Sequence, residues 1–189
     1  MRLFAAVDLS RDTRDAIAAE QTRIAASLGP SARSLKWVRP DGAHLTLVFL
    51  GQVEAARVPP IVEAFALDVD ARPFDIVFSG AGVFPSRGAP RVLWIGIGAG
   101  DDQLRALHHE LAARVSAHGV NLDTRDFHPH LTLARWSSSR TSDRAPALAA
   151  ARHGALAREH VTRVTLFESR LSSSGAAYTA LVHANLTAR

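Results

Sequence analysis

His44-Leu45-Thr46-Leu47 recurs residue for residue as His130-Leu131-Thr132-Leu133, 86 positions further along a chain of 189 residues. In an extended strand successive side chains point to opposite faces. His44 and Thr46 therefore share one face and Leu45 and Leu47 the other, and the same holds for His130 and Thr132 against Leu131 and Leu133. The leucines can anchor each strand on its lobe's helices while the imidazole and hydroxyl project together. A single His-x-Thr on a half-buried strand is ordinarily a solvated polar face. Two identical copies at half-chain spacing, preceded by the comparable loops Val38-Arg39-Pro40-Asp41-Gly42-Ala43 and Thr124-Arg125-Asp126-Phe127-His128-Pro129, point instead to two similar lobes whose histidines meet.

Working outward, Arg2 to Val7 reads as a strand, and Arg11 to Leu28 as a helix with Ile17, Ile24 and Leu28 on one stripe, stopped by Gly29-Pro30. Leu35 to Val38 is a brief strand before a turn at Pro40-Asp41-Gly42. A strand follows from His44 to Leu50, ended by Gly51. Val58 to Leu67 reads as a helix with Pro59 and Pro60 near its start. Phe74 to Phe78 and Val92 to Ile97 read as strands around a connection containing Pro85-Ser86-Arg87-Gly88. Asp101 to His118 is a helix ended by Gly119, and His130 to Arg135 a strand followed by the loop Ser137 to Ser142. The spacing predicts a helix over Ala145 to Leu156, then a hairpin of Val161 to Leu171 and Ala177 to Leu186 around Ser172-Ser173-Ser174-Gly175. Helices alternating with hairpin-like strand pairs favour an α+β fold over a doubly wound parallel sheet. The expected architecture is one bilobal domain over residues 1–189, two antiparallel sheets flanked by helices in pseudo-twofold arrangement, with an active-site cleft between the lobes.

With 47% hydrophobic residues the chain has ample core-forming material, and without cysteine it has neither disulfides nor thiolate metal sites. The first apolar run is broken at Asp8, and no segment reaches the ~20 apolar residues a membrane span needs. A cytoplasmic protein, without membrane association and acting as a monomer, is expected. The net charge of +4 is a weak pointer to anionic partners, because arginine and alanine dominate the composition and Lys36 is the sole lysine.

Two opposed imidazoles suit phosphoryl transfer. Near an unperturbed pKa of ~6.5 one ring can be neutral and the other charged. The neutral ring takes a proton from the attacking water or hydroxyl, the charged ring gives one to the departing alkoxide, and the threonine hydroxyls donate to non-bridging phosphate oxygens. The scheme asks for no metal and no cofactor. Competing motifs fail: His109-Glu110 lacks the second histidine of a zincin helix, since position 113 is alanine. Gly96-Ile97-Gly98-Ala99-Gly100 carries Asp101 where a dinucleotide-binding loop needs its third glycine, and reads as a turn. There is no Gly-x-Ser-x-Gly elbow and no Walker lysine. His108, His109, His118, His153, His160 and His183 stand outside any motif and read as surface or structural residues.

The sequence resembles the two-histidine (2H) phosphoesterases, and within them the bacterial and archaeal RNA 2′,3′-cyclic phosphodiesterases, historically called 2′-5′ RNA ligases. The likeness runs through Arg2 to Leu9, Lys36-Trp37-Val38-Arg39-Pro40, His44 to Gly51, Pro90 to Gly96, Phe127 to Arg135, Leu166 to Leu171 and Tyr178. It implies a bilobal α+β fold and metal-independent hydrolysis of RNA ends or nucleotides bearing a 2′,3′-cyclic phosphate, leaving a 2′-phosphomonoester. It implies His44 as proton donor to the leaving 3′ oxygen and His130 as the base, an order that the symmetric repeat leaves open. It also implies a phosphate-binding role for Arg135. In a regular strand Arg135 falls on the leucine face, and a bulge or a strand end just after Thr132 would reconcile the two. Phe127 is a candidate for base stacking, with a place in the core as the alternative. The other functional readings are a 2′-5′ ligase joining RNA halves and a module that binds nucleotides without turnover.

Overall fold

Helix α1 (Arg11–Leu28) starts where the Ser10 side chain accepts the Thr13 amide, and it ends at Gly29, whose φ of 53° breaks the helical path before Pro30. Its buried face carries Thr13, Ile17, Glu20, Gln21 and Ile24. Buried Glu20 is held by Arg23, 2.6 Å away, and accepts the Arg152 amide at 2.7 Å. The computed structural model describes residues 1–122, 125–172 and 175–187. Thr124, in the loop before the second His-Leu-Thr-Leu segment, and Ser173 and Ser174 of the expected hairpin turn lie outside them.

Among the described residues nine strands form two sheets: β1 (Arg2–Val7), β2 (Leu35–Trp37), β3 (Leu45–Gln52), β4 (Phe74–Phe84), β5 (Val92–Ala99), β6 (Leu131–Trp136), β7 (Ala155–Val161), β8 (Arg163–Ser172) and β9 (Gly175–Asn185). One sheet has the order β3-β1-β8-β9 and the other β2-β6-β5-β4-β7, and every strand pairing within them is antiparallel. Three further helices, α2 (Val58–Phe65), α3 (Asp101–Ser116) and α4 (Arg144–Ala150), complete the α+β architecture.

The repeat seen in the sequence is a structural one, with an exchange. The first half supplies β1, α1 and β3, and the second supplies β5, α3 and β6, with β1 pairing β3 and β5 pairing β6. One later strand of each half crosses over. β4 pairs with β5, whereas β8 pairs with β1. The helices cross too: α1 packs on β7 and α4, and α3 packs on β3 and α2. Each lobe is thus built from both halves: α3 packs on β3, and α1 reaches β6 through Gln21, which donates to the Leu133 carbonyl. Leu45, Leu47, Leu131 and Leu133 are all buried in one connected apolar cluster that includes Ile17 and Ile24 of α1 and Leu104, Leu107 and Leu111 of α3. Full burial of such a leucine contributes about 1.5–3 kcal/mol. It fixes which face of each motif strand can remain open.

Three sequence expectations need correction. The helix expected over Ala145–Leu156 ends at Ala150, and Ala155–Val161 is the edge strand β7, which pairs with β4. Its alanine-rich start reads as helix locally, but β4 offers it a complete ladder. Phe74–Phe78 extends as β4 to Phe84 through Gly80 and Gly82, and Gly96 and Gly98 lie inside β5 rather than in a turn. Only Gly100 turns the chain: at φ 88° it precedes α3, and a Cβ there would stand 2.7 Å from the Asp75 carbonyl. Finally, Gly51 does not end the strand, which continues to Gln52. Among the described residues no helix is long and apolar enough to cross a membrane.

Candidate active site

His44 and His130 stand immediately before β3 and β6, the strands along which the two sheets touch. Helices cover the leucine faces, so the opposite faces, carrying Thr46 and Thr132, border the cleft between the lobes. Thr46 and Thr132 are both half-buried between fully buried leucines, as strand alternation requires.

The two imidazoles are held in the same way. Nδ1 of His44 lies 2.9 Å from the carbonyl oxygen of Gly42, and Nδ1 of His130 lies 2.7 Å from that of His128. A carbonyl can only accept, so each Nδ1 carries its proton and donates it two residues back along the chain. In the neutral rings Nε2 is then the unprotonated nitrogen. Both Nε2 atoms are therefore equipped for proton transfer with no need to change tautomer.

Their surroundings differ. His44 is set in an aromatic wall: Phe4 at 4.6 Å between ring centroids, the edge of Tyr178 at 5.0 Å and Phe167 at 6.5 Å. His130 meets Phe84 at 5.0 Å, Trp94 at 6.0 Å and His128 at 6.2 Å. Trp94 can lie over β4 because position 82 is glycine; a Cβ there would sit 2.0 Å from the indole. Burial lowers the pKa of both histidines, since each gives up water that would solvate the cation, while the carbonyl each bonds works the other way. For His44 the Asp8 carboxylate also favours the charged ring, whereas for His130 the nearby His128 and Arg135 further disfavour it. Asp8 is fixed in turn: Thr165, fully buried, donates to it at 2.6 Å and lies 2.7 Å from Nδ1 of His183.

Arg135 reaches the Thr132 face by a bulge. β5 pairs Leu93 with Ala134 and Trp94 with Thr132, leaving Leu133 as the extra residue. Leu133 and Ala134 are consecutively buried and Arg135 returns to the open face. The same device sits in β3, where Ala5 pairs with Val48 and Ala6 with Thr46, leaving Leu47 extra and returning Phe49 to the open face beneath the Arg2 guanidinium. The carbonyl of each extra residue is satisfied from outside the ladder. His108 donates to Leu47, and Gln21 and the Val38 amide donate to Leu133. His108, a structural residue from its sequence context, thus serves the first motif directly. Phe127 packs against the core with one ring face stacked on His108 at 4.3 Å, and its carbonyl accepts from Arg105. Among the described residues no cluster of three His, Asp or Glu side chains is arranged to hold a metal.

The family model described as the 2′-5′ RNA ligase superfamily matches residues 12–172. The chain belongs to that superfamily. Among superfamily members, the RNA 2′,3′-cyclic phosphodiesterase of Aquifex aeolicus is 34% identical over 146 residues, 76% of this chain and 78% of the relative. That of Methanothermobacter thermautotrophicus is 30% identical over 181 residues, covering 95% of each chain. The crystal structure of the Thermus thermophilus protein TT0787 superposes with a TM-score of 0.79 at 29% identity, over 100% of this chain and 99% of that one.

Sequence reasoning singled out both histidines, both threonines and Arg135, and these lie at the ends and on the open faces of β3 and β6, two strands that touch. It overlooked Asp8 and His128. A signal for His128 was available: positions two before and five after each histidine hold Gly42 and Phe49 in one copy, but His128 and Arg135 in the other.

Proposed function

We propose that this member of the superfamily is an RNA 2′,3′-cyclic phosphodiesterase, with His44 as the acid and His130 as the base. The observation that carries the reading is the matched pair of imidazoles, each with Nδ1–H tied to a carbonyl, in fields of opposite sign. The Asp8 carboxylate favours a proton on His44, while His128 and Arg135 oppose one on His130. In that state Nε2 of His130 takes a proton from water as its oxygen bonds to phosphorus. The P–O3′ bond breaks on the opposite side, and Nε2 of His44 protonates the leaving oxygen. The products are a 3′-hydroxyl and a 2′-phosphomonoester. His44 is left neutral and His130 charged, and solvent resets both.

Charge develops on the non-bridging oxygens, where the hydroxyls of Thr46 and Thr132 and the Arg135 guanidinium can donate. Since two imidazoles perform both proton transfers, no step calls on a metal. Both come from one chain, so a monomer suffices, and we place its action in the cytoplasm.

The test is product analysis of a short RNA ending in a 2′,3′-cyclic phosphate, in EDTA. A 2′-phosphate should appear, and His44→Ala and His130→Ala should each slow its formation by about 10²–10⁴-fold. A 3′-phosphate product, a strict metal requirement or undiminished activity in both variants would overturn the reading.

A further inference from the structure

Lys36 of β2 and Arg135 of β6 are directly opposite one another in the ladder, so two like charges stand side by side on the same exposed face. Cross-strand neighbours of like charge are destabilising unless something of opposite sign intervenes. Arg135 is also opposite Val92, and the preceding residue, Arg91, is a third exposed cation at this corner of the sheet. Among the described residues no carboxylate pairs with Lys36, Arg91 or Arg135. Some cations elsewhere do have such partners: Arg23, Arg57, Arg105, Arg114, Arg158 and Arg170 each lie within 4 Å of an acidic side chain.

Between Arg91 and Arg135 opens a cavity of about 510 Å³, walled by Ala89, Val92, Trp136 and Ser137 to Ser139, none of them acidic. The walls are anchored, with the Ser137 hydroxyl donating to the Ser34 carbonyl and that of Ser139 to the Pro90 carbonyl. The cavity does not surround the imidazoles. Its lining residue Arg135 lies three residues past Thr132 along β6, roughly 10 Å at strand spacing.

The charges decide what belongs there. A 2′,3′-cyclic phosphate carries a single negative charge, and the mechanism above already gives it Arg135. Lys36 and Arg91 are left without an anion. We propose that Arg91 and the cavity hold a backbone phosphate of the RNA strand inward from its reacting end, with Lys36 beside Arg135 adding positive charge on the adjoining strand, so that the enzyme selects strands over free cyclic mononucleotides. The inference rests on the phosphodiesterase reading, but binding measures it separately from turnover.

The experiment compares a trinucleotide ending in a 2′,3′-cyclic phosphate with adenosine 2′,3′-cyclic phosphate, using the full chain, Lys36→Ala, Arg91→Ala and Arg91→Lys. Equilibrium binding and kcat/KM are both followed. Loss of either cation should weaken trinucleotide binding about tenfold, the scale of one charge-assisted contact, while the mononucleotide changes less than about twofold. Arg91→Lys should recover most of the loss. The dependence of log affinity on log salt should become shallower by about 0.7 for each phosphate contact removed. Equal loss for both ligands, or no loss for the trinucleotide, would overturn the proposal. If the unaltered enzyme turns over neither ligand, the phosphodiesterase reading fails, and the binding comparison still decides whether the cavity takes an RNA phosphate.

Discussion

His108 of α3 donates from Nδ1 to the carbonyl oxygen of Leu47, 2.8 Å away, at the one residue in Leu45-Thr46-Leu47-Val48 that β1 leaves unpaired. A bulge frees a backbone carbonyl, and a buried carbonyl without a donor costs about 1–3 kcal/mol. Gln21 of α1 performs the same service for Leu133, at 2.9 Å. Each motif's kink is therefore held by a helix from the other half of the chain, and the threonine beside it is positioned by that grip.

His108→Phe should keep the stacking on Phe127 but lose the hydrogen bond, lowering unfolding free energy by about 1–3 kcal/mol in urea titrations. His108→Asn, whose side-chain amide lies near the position of Nδ1, should restore much of it. Equal stability of His108→Phe and the unaltered protein would show that the carbonyl finds another donor.

The rate profile with pH should be bell-shaped, its acid limb set by His130 and its alkaline limb by His44. Burial lowers both histidines from ~6.5. In kcat/KM, which reports the free enzyme, both limbs should lie on the acid side of where unperturbed imidazoles would put them. Asp8→Asn removes the carboxylate that favours charged His44, and so should move the alkaline limb to lower pH. A shift of the acid limb instead would exchange the two roles.

His128→Ala should move the acid limb to higher pH, because a neighbour that disfavours charged His130 is gone. The backbone carbonyl that holds Nδ1 remains, so kcat at the new optimum should change little. A collapse of kcat at every pH would mean that the His128 ring positions substrate.

Much of this was legible in the sequence. Strand parity put His44 with Thr46 and His130 with Thr132, and the need to turn Arg135 toward them asked for a bulge or a strand end just after Thr132; Leu133 supplies the bulge. What the sequence could not display was partnership. The exchange of β4 and β8 depends on which ladder each strand joins, and no local pattern records that. β7 was misread because the alanine-rich run Ala147 to Arg152 carried the helix past Gly154, whereas the open edge of β4 makes the residues beyond it a strand. Phe127 could be read either for base stacking or for the core, because its neighbour in space, His108, lies 19 positions away in the chain. The acid–base order was hidden for a different reason: the motifs are identical, and the asymmetry lives in Asp8, His128 and Arg135 around them.

Stability should also fall on mild acidification. His44 and His130 are both lowered in the folded state, so below about 6.5 the unfolded chain binds protons that the folded one resists. Their contribution is present above that pH and is lost as pH drops through the folded-state values. The melting temperature should decline over that window, and a His44→Gln/His130→Gln double variant should decline less steeply. Parallel declines would assign the acid sensitivity to other groups.

Thr132→Val keeps the shape of the side chain and removes its hydroxyl. If that hydroxyl stabilises charge on the phosphate, kcat should drop by about 10²–10³-fold with little change in melting temperature. A change confined to KM would give Thr132 a role in ground-state binding alone.

The crossed strands and helices have a genealogical consequence. A lone ancestor of either half would have had β1 with no β8 beside it, or β5 with no β4, and a motif strand with no helix from the other half to reach it. Two copies of one such half, however, could have completed one another as a twofold dimer. Tandem fusion of the two genes would turn that encounter into an event within a single chain. It would also free the copies to diverge, one keeping Gly42 and Phe49 and the other acquiring His128 and Arg135. A symmetric dimer must give both histidines the same surroundings; the fused chain can bias one toward the acid and the other toward the base.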